Sequence, residues 1–162
     1  IDLRKNIAYV PQIPHFFSGT ISDNLRMADP LVNDQAIKVA LNQVDAWNDI
    51  CQLPLGIETE IGQDGYQLPS SLSYKLGLAR AYIKNTPLML FDELPYALLN
   101  SAAGEAFRKS LENWHGHRTV FIVTHREDYI RMADSVVLLT SGDFPMVGAP
   151  ELVIEAINQS NS

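Results

Sequence analysis

The fold class of this chain is decided by the segment Leu88-Met89-Leu90-Phe91-Asp92-Glu93. Its continuous apolar run predicts a short strand that is buried on both faces, because a half-exposed strand would alternate with polar residues. Two carboxylates follow directly, at the end of a strand where open α/β sheets bind their ligands. The segment therefore predicts a central strand with Asp92 and Glu93 at its carboxyl end.

Other apolar runs have the same character and predict further strands at residues 6–10, 120–123 and 136–139. Helices are expected at residues 71–83, 101–114, 126–132 and 150–158. Apolar strands that alternate with helices predict a parallel sheet with helices on both faces, and we expect the three runs between 88 and 139 to lie in it. The sequence therefore predicts an α/β fold.

The region before residue 85 is predicted to be mainly helical. Residues 13–31 indicate a loop with a short helix, and residues 53–69 an extended loop rich in glycine and proline. A helix is expected to begin at Asn33, because apolar residues at three- and four-residue steps share one face. These residues are Ile37, Ala40, Leu41, Val44, Trp47 and Cys51.

The amino-acid composition excludes several classes of function. The chain has 162 residues, 46% hydrophobic and 19% charged, which indicates a packed globular fold. A net charge of −7 offers no basic surface to phosphate backbones, so no nucleic-acid partner is expected. A single cysteine excludes a disulfide framework and a cysteine zinc site. Because the first residue is Ile1 rather than methionine, we expect a piece of a longer protein.

Polar residues at the ends of three predicted strands form the candidate site: Gln12, Asp92 with Glu93, and His125. Asp92 is expected to hold Mg²⁺ through its waters, and Glu93 to polarise an attacking water as a general base. His125 would contact a γ-phosphate, and Gln12 would complete the magnesium shell and orient the water. Each residue alone has an ordinary structural explanation, and only the combination is specific.

Several stretches, in this order along the chain, resemble the ATP-binding domain of ABC transporters of the exporter type, including type I secretion exporters. They are residues 4–12 (Q-loop), 17–25 (F-x-G-T-I-x-D-N), 78–81 (the helix after the signature motif), 88–93 (Walker B with the catalytic glutamate) and 123–126 (switch histidine). The resemblance implies a partial P-loop NTPase (RecA-like) core with a parallel sheet, plus an ABC-type helical subdomain. The implied divisions are residues 1–12 (core strand and Q-loop), 13–84 (helical subdomain) and 85–162 (C-terminal part of the core).

The resemblance also implies a function, namely the cytoplasmic ATP-binding domain of a membrane exporter that couples MgATP binding and hydrolysis to transport. ATP and Mg²⁺ would be held against a second nucleotide-binding domain, identical or different. The neighbourhood of Gln12 and the loop at residues 59–65 would contact coupling helices of a transmembrane domain. The domain would then lie at the cytoplasmic face of the inner or plasma membrane.

Two departures from the family pattern bear on ATP binding. The Walker A loop requires a lysine directly after a glycine, and no lysine of this sequence follows a glycine. We therefore expect the Walker A loop upstream of Ile1, and we expect that this chain alone does not hydrolyse ATP. The signature motif L-S-G-G-Q is replaced by Leu68-Pro69-Ser70-Ser71-Leu72. The family position of Ser70 and Ser71 faces the γ-phosphate bound by the partner subunit, although both serines are also candidates for ordinary helix caps.

Two further departures are that Leu99 replaces the D-loop aspartate on the surface facing the partner subunit, and that Gln63-Asp64 replaces Glu-Arg in the loop facing the membrane domain. The resemblance implies that the retained residues serve the chain's own ATP and the altered ones the ATP bound by the partner, so we expect impaired turnover at the partner's site. A degenerate, non-hydrolytic nucleotide-binding or regulatory module and an unrelated α/β phosphotransferase remain as alternatives. If core strands lie upstream, the sheet in this chain should expose an edge and apolar surface.

Overall fold

The strand predicted at residues 88–91 lies in the middle of a three-stranded sheet. The computed structural model describes residues 3–63, 65–141 and 144–160, so Ile1 and Asp64 lie outside the described residues. The strands are β1 (Ile7–Val10), β2 (Gly19–Thr20), β3 (Glu60–Ile61), β4 (Leu88–Asp92), β5 (Thr119–Val123), β6 (Val136–Leu138) and β7 (Met146–Gly148). The α-helices are α1 (Ile21–Arg26), α2 (Asp34–Gln43), α3 (Trp47–Cys51), α4 (Ser70–Lys84), α5 (Tyr96–Leu99), α6 (Ala102–Trp114), α7 (Glu127–Ile130) and α8 (Pro150–Ser160). The chain forms two compact units, of which the first ends at Val123 and the second begins at Thr124.

The parallel sheet predicted from the sequence is confirmed in the first unit. Strand β4 pairs in parallel with β1 on one side and with β5 on the other. On one face of the sheet Val10 and Phe91 are buried side by side, and Phe91 packs against Phe107 of α6 with ring centroids 4.9 Å apart. This face, which α4 and α6 approach, forms the core below the candidate site.

The opposite face of this sheet carries exposed apolar side chains. Tyr9, Phe121 and Val123 are 57%, 59% and 56% exposed. Helices on both faces were predicted, and for the described residues of the first unit that prediction is wrong. The order β1-β4-β5 steps twice in the same direction, and right-handed crossovers in one direction place their helices on one face. The apolar surface expected from the sequence is therefore present.

The apolar run at residues 136–139 does not join the parallel sheet, which corrects the prediction. Strand β6 pairs antiparallel with β7 in the second unit, with Val137 opposite Val147. A parallel neighbour needs a crossover of about a dozen residues or more, whereas antiparallel strands can be joined by a short turn. Helix α8 packs on this hairpin, and Val137 and Leu139 are exposed.

The helix predicted from Asn33 is shorter than expected. The Asn33 side chain caps the start of α2, but α2 ends at Gln43. Asp45 then adopts a left-handed backbone conformation with a φ of 57°, which commonly ends a helix. The prediction of one continuous helical face to Cys51 is therefore wrong, and Cys51 is an exposed residue of the separate helix α3.

Lys75 of α4 braces this break between α2 and α3. Its Nζ donates to the backbone oxygen of Asp45 at 2.6 Å and to Oδ2 of Asp49 at 2.8 Å. Burial by itself would lower the pKa of Lys75, but the interactions with Asp49 and Asp45 raise it above its ordinary value. The ammonium group thus ties α4 to the turn before α3.

The extended loop predicted at residues 53–69 contains a short strand, because β3 pairs antiparallel with the distant β2. Gly62 follows β3 with a φ of 102°, and a Cβ there would lie 2.7 Å from Cα of Ser18, so the position requires glycine. Helix α1 begins after β2 with a capping box, in which Thr20 Oγ1 accepts from Asp23 N at 2.9 Å and Asp23 Oδ2 accepts from Thr20 N at 3.0 Å.

Helix α4 confirms the helix predicted at residues 71–83 and corrects the interpretation of Ser70 and Ser71. Its N-cap residue is Pro69, and no side chain caps it. Ser70 and Ser71 are therefore not helix caps, and both are exposed. Among the described residues, none of the helices combines the length and the apolar character needed to cross a bilayer.

Candidate functional site

Gln12 and Glu93 meet at the carboxyl ends of two neighbouring strands. Gln12 follows β1 by two residues, and Glu93 directly follows β4. Because β1 and β4 are parallel and paired, their ends lie at the same edge of the sheet. The Gln12 Nε2 donates a hydrogen bond to Glu93 Oε2 at 3.1 Å. Two of the residues selected from the sequence are therefore in direct contact, 81 positions apart.

The backbone of Glu93 has a left-handed conformation, with a φ of 42°. Its N–H donates to the carbonyl oxygen of Val123, the last residue of β5, at 3.0 Å. For a residue with a Cβ this conformation costs roughly 1–2 kcal/mol, and strain of this kind concentrates at functional sites. The sheet pairing holds the strained residue in place, and no feature of the local sequence indicates it.

Asp92 is engaged by a tyrosine that the sequence analysis did not single out. Tyr9 Oη of β1 donates to Asp92 Oδ2 at 3.1 Å. This hydrogen bond raises the pKa of Tyr9 above its ordinary value, because the neighbouring carboxylate disfavours the loss of the phenolic proton. The available sequence signal was the alternation along β1, which places Tyr9 on the face opposite Ala8 and Val10.

His125 lies two residues beyond the end of β5, in the second unit, and is exposed. The turn around it is ordered by Thr124, whose Oγ1 accepts from Arg126 N at 3.1 Å. Arg126 also forms an ion pair with Asp128, with Nη2 and Oδ2 2.7 Å apart. The grouping of His125 with the residues of the first unit stays a prediction.

Ser70 and Ser71 occupy the exposed first turn of α4, a helix of 15 residues. The first N–H groups of a helix have no partner within it, and with the helix dipole they favour anions. The prediction that these serines face a phosphate therefore remains physically reasonable. Pro69 contributes neither an N–H nor a hydroxyl at the position just before them.

Arg80 ties α4 to the segment that follows Gln12. Its Nη1 donates to the carbonyl oxygen of His15 at 2.7 Å, and its Nε donates to that of Asn24 at 2.9 Å. Its Nη2 donates to Asn24 Oδ1 at 2.7 Å, and the guanidinium lies 4.4 Å from the centroid of the Phe16 ring. Burial lowers the pKa of Arg80. The conformation of this segment thus depends on a long-range contact.

The oxygen donors at the edge of the sheet fit Mg²⁺. Within the ranges that the structure describes, no group of three or more His, Cys, Asp and Glu side chains could hold a metal ion by itself. Mg²⁺ seldom uses such a cage and is usually bound by one or two carboxylates, waters and substrate phosphates. Asp92, with Oδ1 not used by Tyr9, and the side-chain oxygen of Gln12 are the hard ligands available for such a site.

Comparisons with known proteins agree with this architecture. No family model matches the chain. It is 32% identical over 146 residues to ABC transporter B family member 1 of Arabidopsis thaliana, which covers 90% of this chain and 11% of that protein. It is 31% identical over 153 residues to the ATP-dependent lipid A-core flippase of Blochmanniella pennsylvanica, covering 94% of this chain and 26% of the flippase.

A solved structure matches the fold as well. A bacterial Atm1-family ABC exporter with ATP bound superimposes with a TM-score of 0.83 and 26% sequence identity, over 96% of this chain and 27% of that chain. The protein is thus a mixed α/β domain whose fold matches the nucleotide-binding domain of an ABC exporter. It is homologous to the ATP-binding domain of ABC exporters and corresponds to part of such a domain. The chain spans only 11% to 26% of the length of these curated relatives.

Proposed function

We propose that this chain forms the Walker B, Q-loop and signature portion of an ATPase that powers a membrane exporter. The observation that carries the proposal is the hydrogen bond between Gln12 and Glu93 at the carboxyl edge of the sheet, directly beside Asp92. This edge is where open α/β sheets bind ligands. The relatives named above are an ABC transporter, a lipid A-core flippase and an ABC exporter, which supports the same class of function for the whole protein.

In this proposal the residues divide the work of hydrolysis. Bound Mg²⁺ would neutralise charge on the ATP phosphates, and Asp92 would hold it through water. Glu93 accepts the proton of the attacking water, and Gln12, which donates to Glu93 Oε2, orients the carboxylate. The left-handed backbone at Glu93 ends the extended conformation of β4 directly after Asp92. His125 would contact the γ-phosphate.

The proposal includes a weakened contact with a second nucleotide-binding domain. Ser70 and Ser71, at the start of α4, would face the γ-phosphate bound by the other subunit. Pro69 removes one donor from this surface, and loss of one phosphate or oxyanion donor typically costs about 3–4 kcal/mol of transition-state stabilisation. We therefore propose slow turnover at the partner's site.

The proposed partners follow from the same class of protein. The segment after Gln12, which Arg80 holds against α4, would contact coupling helices of a transmembrane domain at the cytoplasmic side of the membrane. The divisions at residues 12 and 84 stay proposals in this scheme.

A second candidate is a nucleotide-binding module without hydrolysis. Pro69 at the N-cap of α4, with no capping side chain, favours it, because this is the surface that completes a catalytic site across two subunits. The two candidates predict the same affinity for ATP and differ in turnover.

The test measures ATP binding and turnover by the full-length protein that carries this domain, with Glu93→Gln and with Glu105→Gln as the matched control. Glu105 is an exposed acidic residue of α6. Loss of the general base should lower turnover by about 100-fold or more, whereas the control should leave it unchanged. The variant Pro69→Ser should raise turnover.

Three outcomes would contradict parts of the proposal. Turnover unaffected by Glu93→Gln would remove Glu93 as the general base. ATP binding without any turnover in the parent protein or in Pro69→Ser would favour the non-hydrolytic module. No detectable ATP binding in the presence of Mg²⁺ would exclude both candidates and leave only the fold.

A further inference from the structure

The hydroxyl of Tyr9 in β1 contacts the carboxylate of Asp92 in the neighbouring strand β4. In the register of the sheet Tyr9 is opposite Leu90, so Asp92 is two positions further along β4 on the same face. A diagonal pair of this kind is within reach of an aromatic side chain. The Tyr9 ring lies along the exposed face of the sheet, and its Oη donates to Asp92 Oδ2 at 3.1 Å.

This hydrogen bond uses one of the two carboxylate oxygens. A carboxylate has about four acceptor positions on its two oxygens, so a donor on Oδ2 leaves Oδ1 able to accept a further ligand. The backbone of Asp92 is already held in the ladder between β4 and β5, opposite Val123. The remaining freedom of Asp92 is the rotation of its side chain, and the Tyr9 hydroxyl restricts that rotation.

We propose that Tyr9 is a positioning residue that holds the carboxylate of Asp92 in the orientation needed to bind a divalent cation. The inference rests on the proposed function, in which Asp92 carries the metal and its water. Tyr9 itself acts only through Asp92 and does not touch the nucleotide. An apolar role for the Tyr9 ring would be served equally by phenylalanine, and only the positioning role needs the hydroxyl.

The experiment compares Tyr9→Phe with Tyr66→Phe, the same change at another exposed tyrosine of the first unit, in the full-length protein. Metal binding is read directly by Mn²⁺ EPR titration with saturating ATP, in a Glu93→Gln background that slows hydrolysis. The affinity for Mn²⁺ in the ternary mixture is compared with that of ATP alone, which isolates the contribution of the protein. The Mg²⁺ concentration for half-maximal turnover is measured separately in proteins that retain Glu93.

We expect Tyr9→Phe to weaken Mn²⁺ binding and to raise the Mg²⁺ requirement by about three- to tenfold, the range that one hydrogen bond contributes. The KM for ATP at saturating Mg²⁺ and the unfolding midpoint should stay at the parent values. A merely structural role would change the unfolding midpoint and leave the metal dependence alone. Tyr66→Phe should change neither quantity.

The variant Asp92→Asn separates failure of this inference from failure of the proposed function. If Asp92→Asn weakens Mn²⁺ binding strongly and Tyr9→Phe leaves it within twofold of the parent, Tyr9 is not a positioning residue but Asp92 keeps its role. If Asp92→Asn also leaves Mn²⁺ binding unchanged, the proposed metal role of Asp92 and the inference are both overturned.

Discussion

The variant Arg80→Met should release the segment between β1 and α1 from α4. The guanidinium donates to the backbone oxygens of His15 and Asn24 and to the side chain of Asn24, and it lies over the Phe16 ring. Methionine fills a similar volume and keeps the apolar contact, but it removes every donor. Because the partners of Arg80 all lie between residues 15 and 24, the loss of these contacts should act locally on residues 15–27.

The expected magnitude comes mainly from Asn24, which is only 1% exposed. Without Arg80 its backbone oxygen loses a partner in a buried position, which costs about 1–3 kcal/mol. Its Oδ1 still accepts from Phe17 N at 3.1 Å, and His15 is exposed, so these two acceptors add little. Loss of the cation–π contact adds about 0.5–1 kcal/mol. The total is about 1.5–4 kcal/mol of local stability.

Hydrogen exchange of backbone amides, followed by mass spectrometry of the full-length protein, measures this quantity directly. A local loss of about 1.5–4 kcal/mol corresponds to exchange faster by about 10-fold to several hundred-fold in peptides covering residues 15–27. Arg80→Lys should give an intermediate acceleration, because a single ammonium cannot span acceptors on two residues. Arg4→Met, at an exposed arginine, is the matched control and should have no effect on these peptides.

The argument would be refuted if Arg80→Met accelerated exchange in residues 15–27 by less than threefold. It would also be refuted if the acceleration were the same across all of β1, β4 and β5. The first result would mean that water replaces the guanidinium without cost, and the second that Arg80 stabilises the whole unit rather than this segment.

Two further predictions concern packing and pH. Gly104→Ala should lower the free energy of unfolding, measured in urea, by about 1–3 kcal/mol, because the added Cβ would lie 2.1 Å from the carbonyl oxygen of Leu99. The control is Gly148→Ala, where the nearest atom would be 3.8 Å away, and it should change the free energy of unfolding by less than about 0.5 kcal/mol. Equal effects of the two variants would contradict the packing argument. The hydrogen bond from the Thr20 backbone lowers the pKa of Asp23, so the contribution of Asp23 to stability is complete above its ordinary pKa of about 3.9 and is lost as the pH falls through the lowered value. Protection of the α1 amides, measured by hydrogen exchange, should therefore fall with pH in this acid range, and Asp23→Asn should abolish that pH dependence; an identical profile in the variant would contradict it.

Much of the fold is predictable because its signals are local. The apolar run at residues 88–91 indicates a strand by composition alone, and Asn33 indicates the start of α2 because its side chain can cap a helix. The end of α2 was missed because Asp45 adopts its left-handed conformation where Lys75, 30 positions away, holds the turn. Strand β3 was missed for a similar reason, since it forms only against β2.

The placement of the run at residues 136–139 shows the same limit. Apolar residues indicate a strand, but they do not specify its neighbour, and β6 forms a hairpin with β7 instead of extending the parallel sheet. In the candidate site, the sequence order of Gln12, Asp92 and Glu93 was sufficient to select them, because the ends of parallel strands must share an edge. Tyr9 was not selected, because its partner is defined only by the register of β1 against β4.

The sequence by itself determined the α/β class of this domain and its similarity to the ATP-binding domains of ABC exporters, and it selected the candidate site residues, because these depend on residue type and order. Only the tertiary structure decided that Gln12 donates a hydrogen bond to Glu93, that Tyr9 donates one to Asp92, and that the helices of the first unit cover one face of its sheet. These features arise from pairing between distant segments. Strand register and the direction of the crossovers set them, and neither is encoded in any local stretch of the chain.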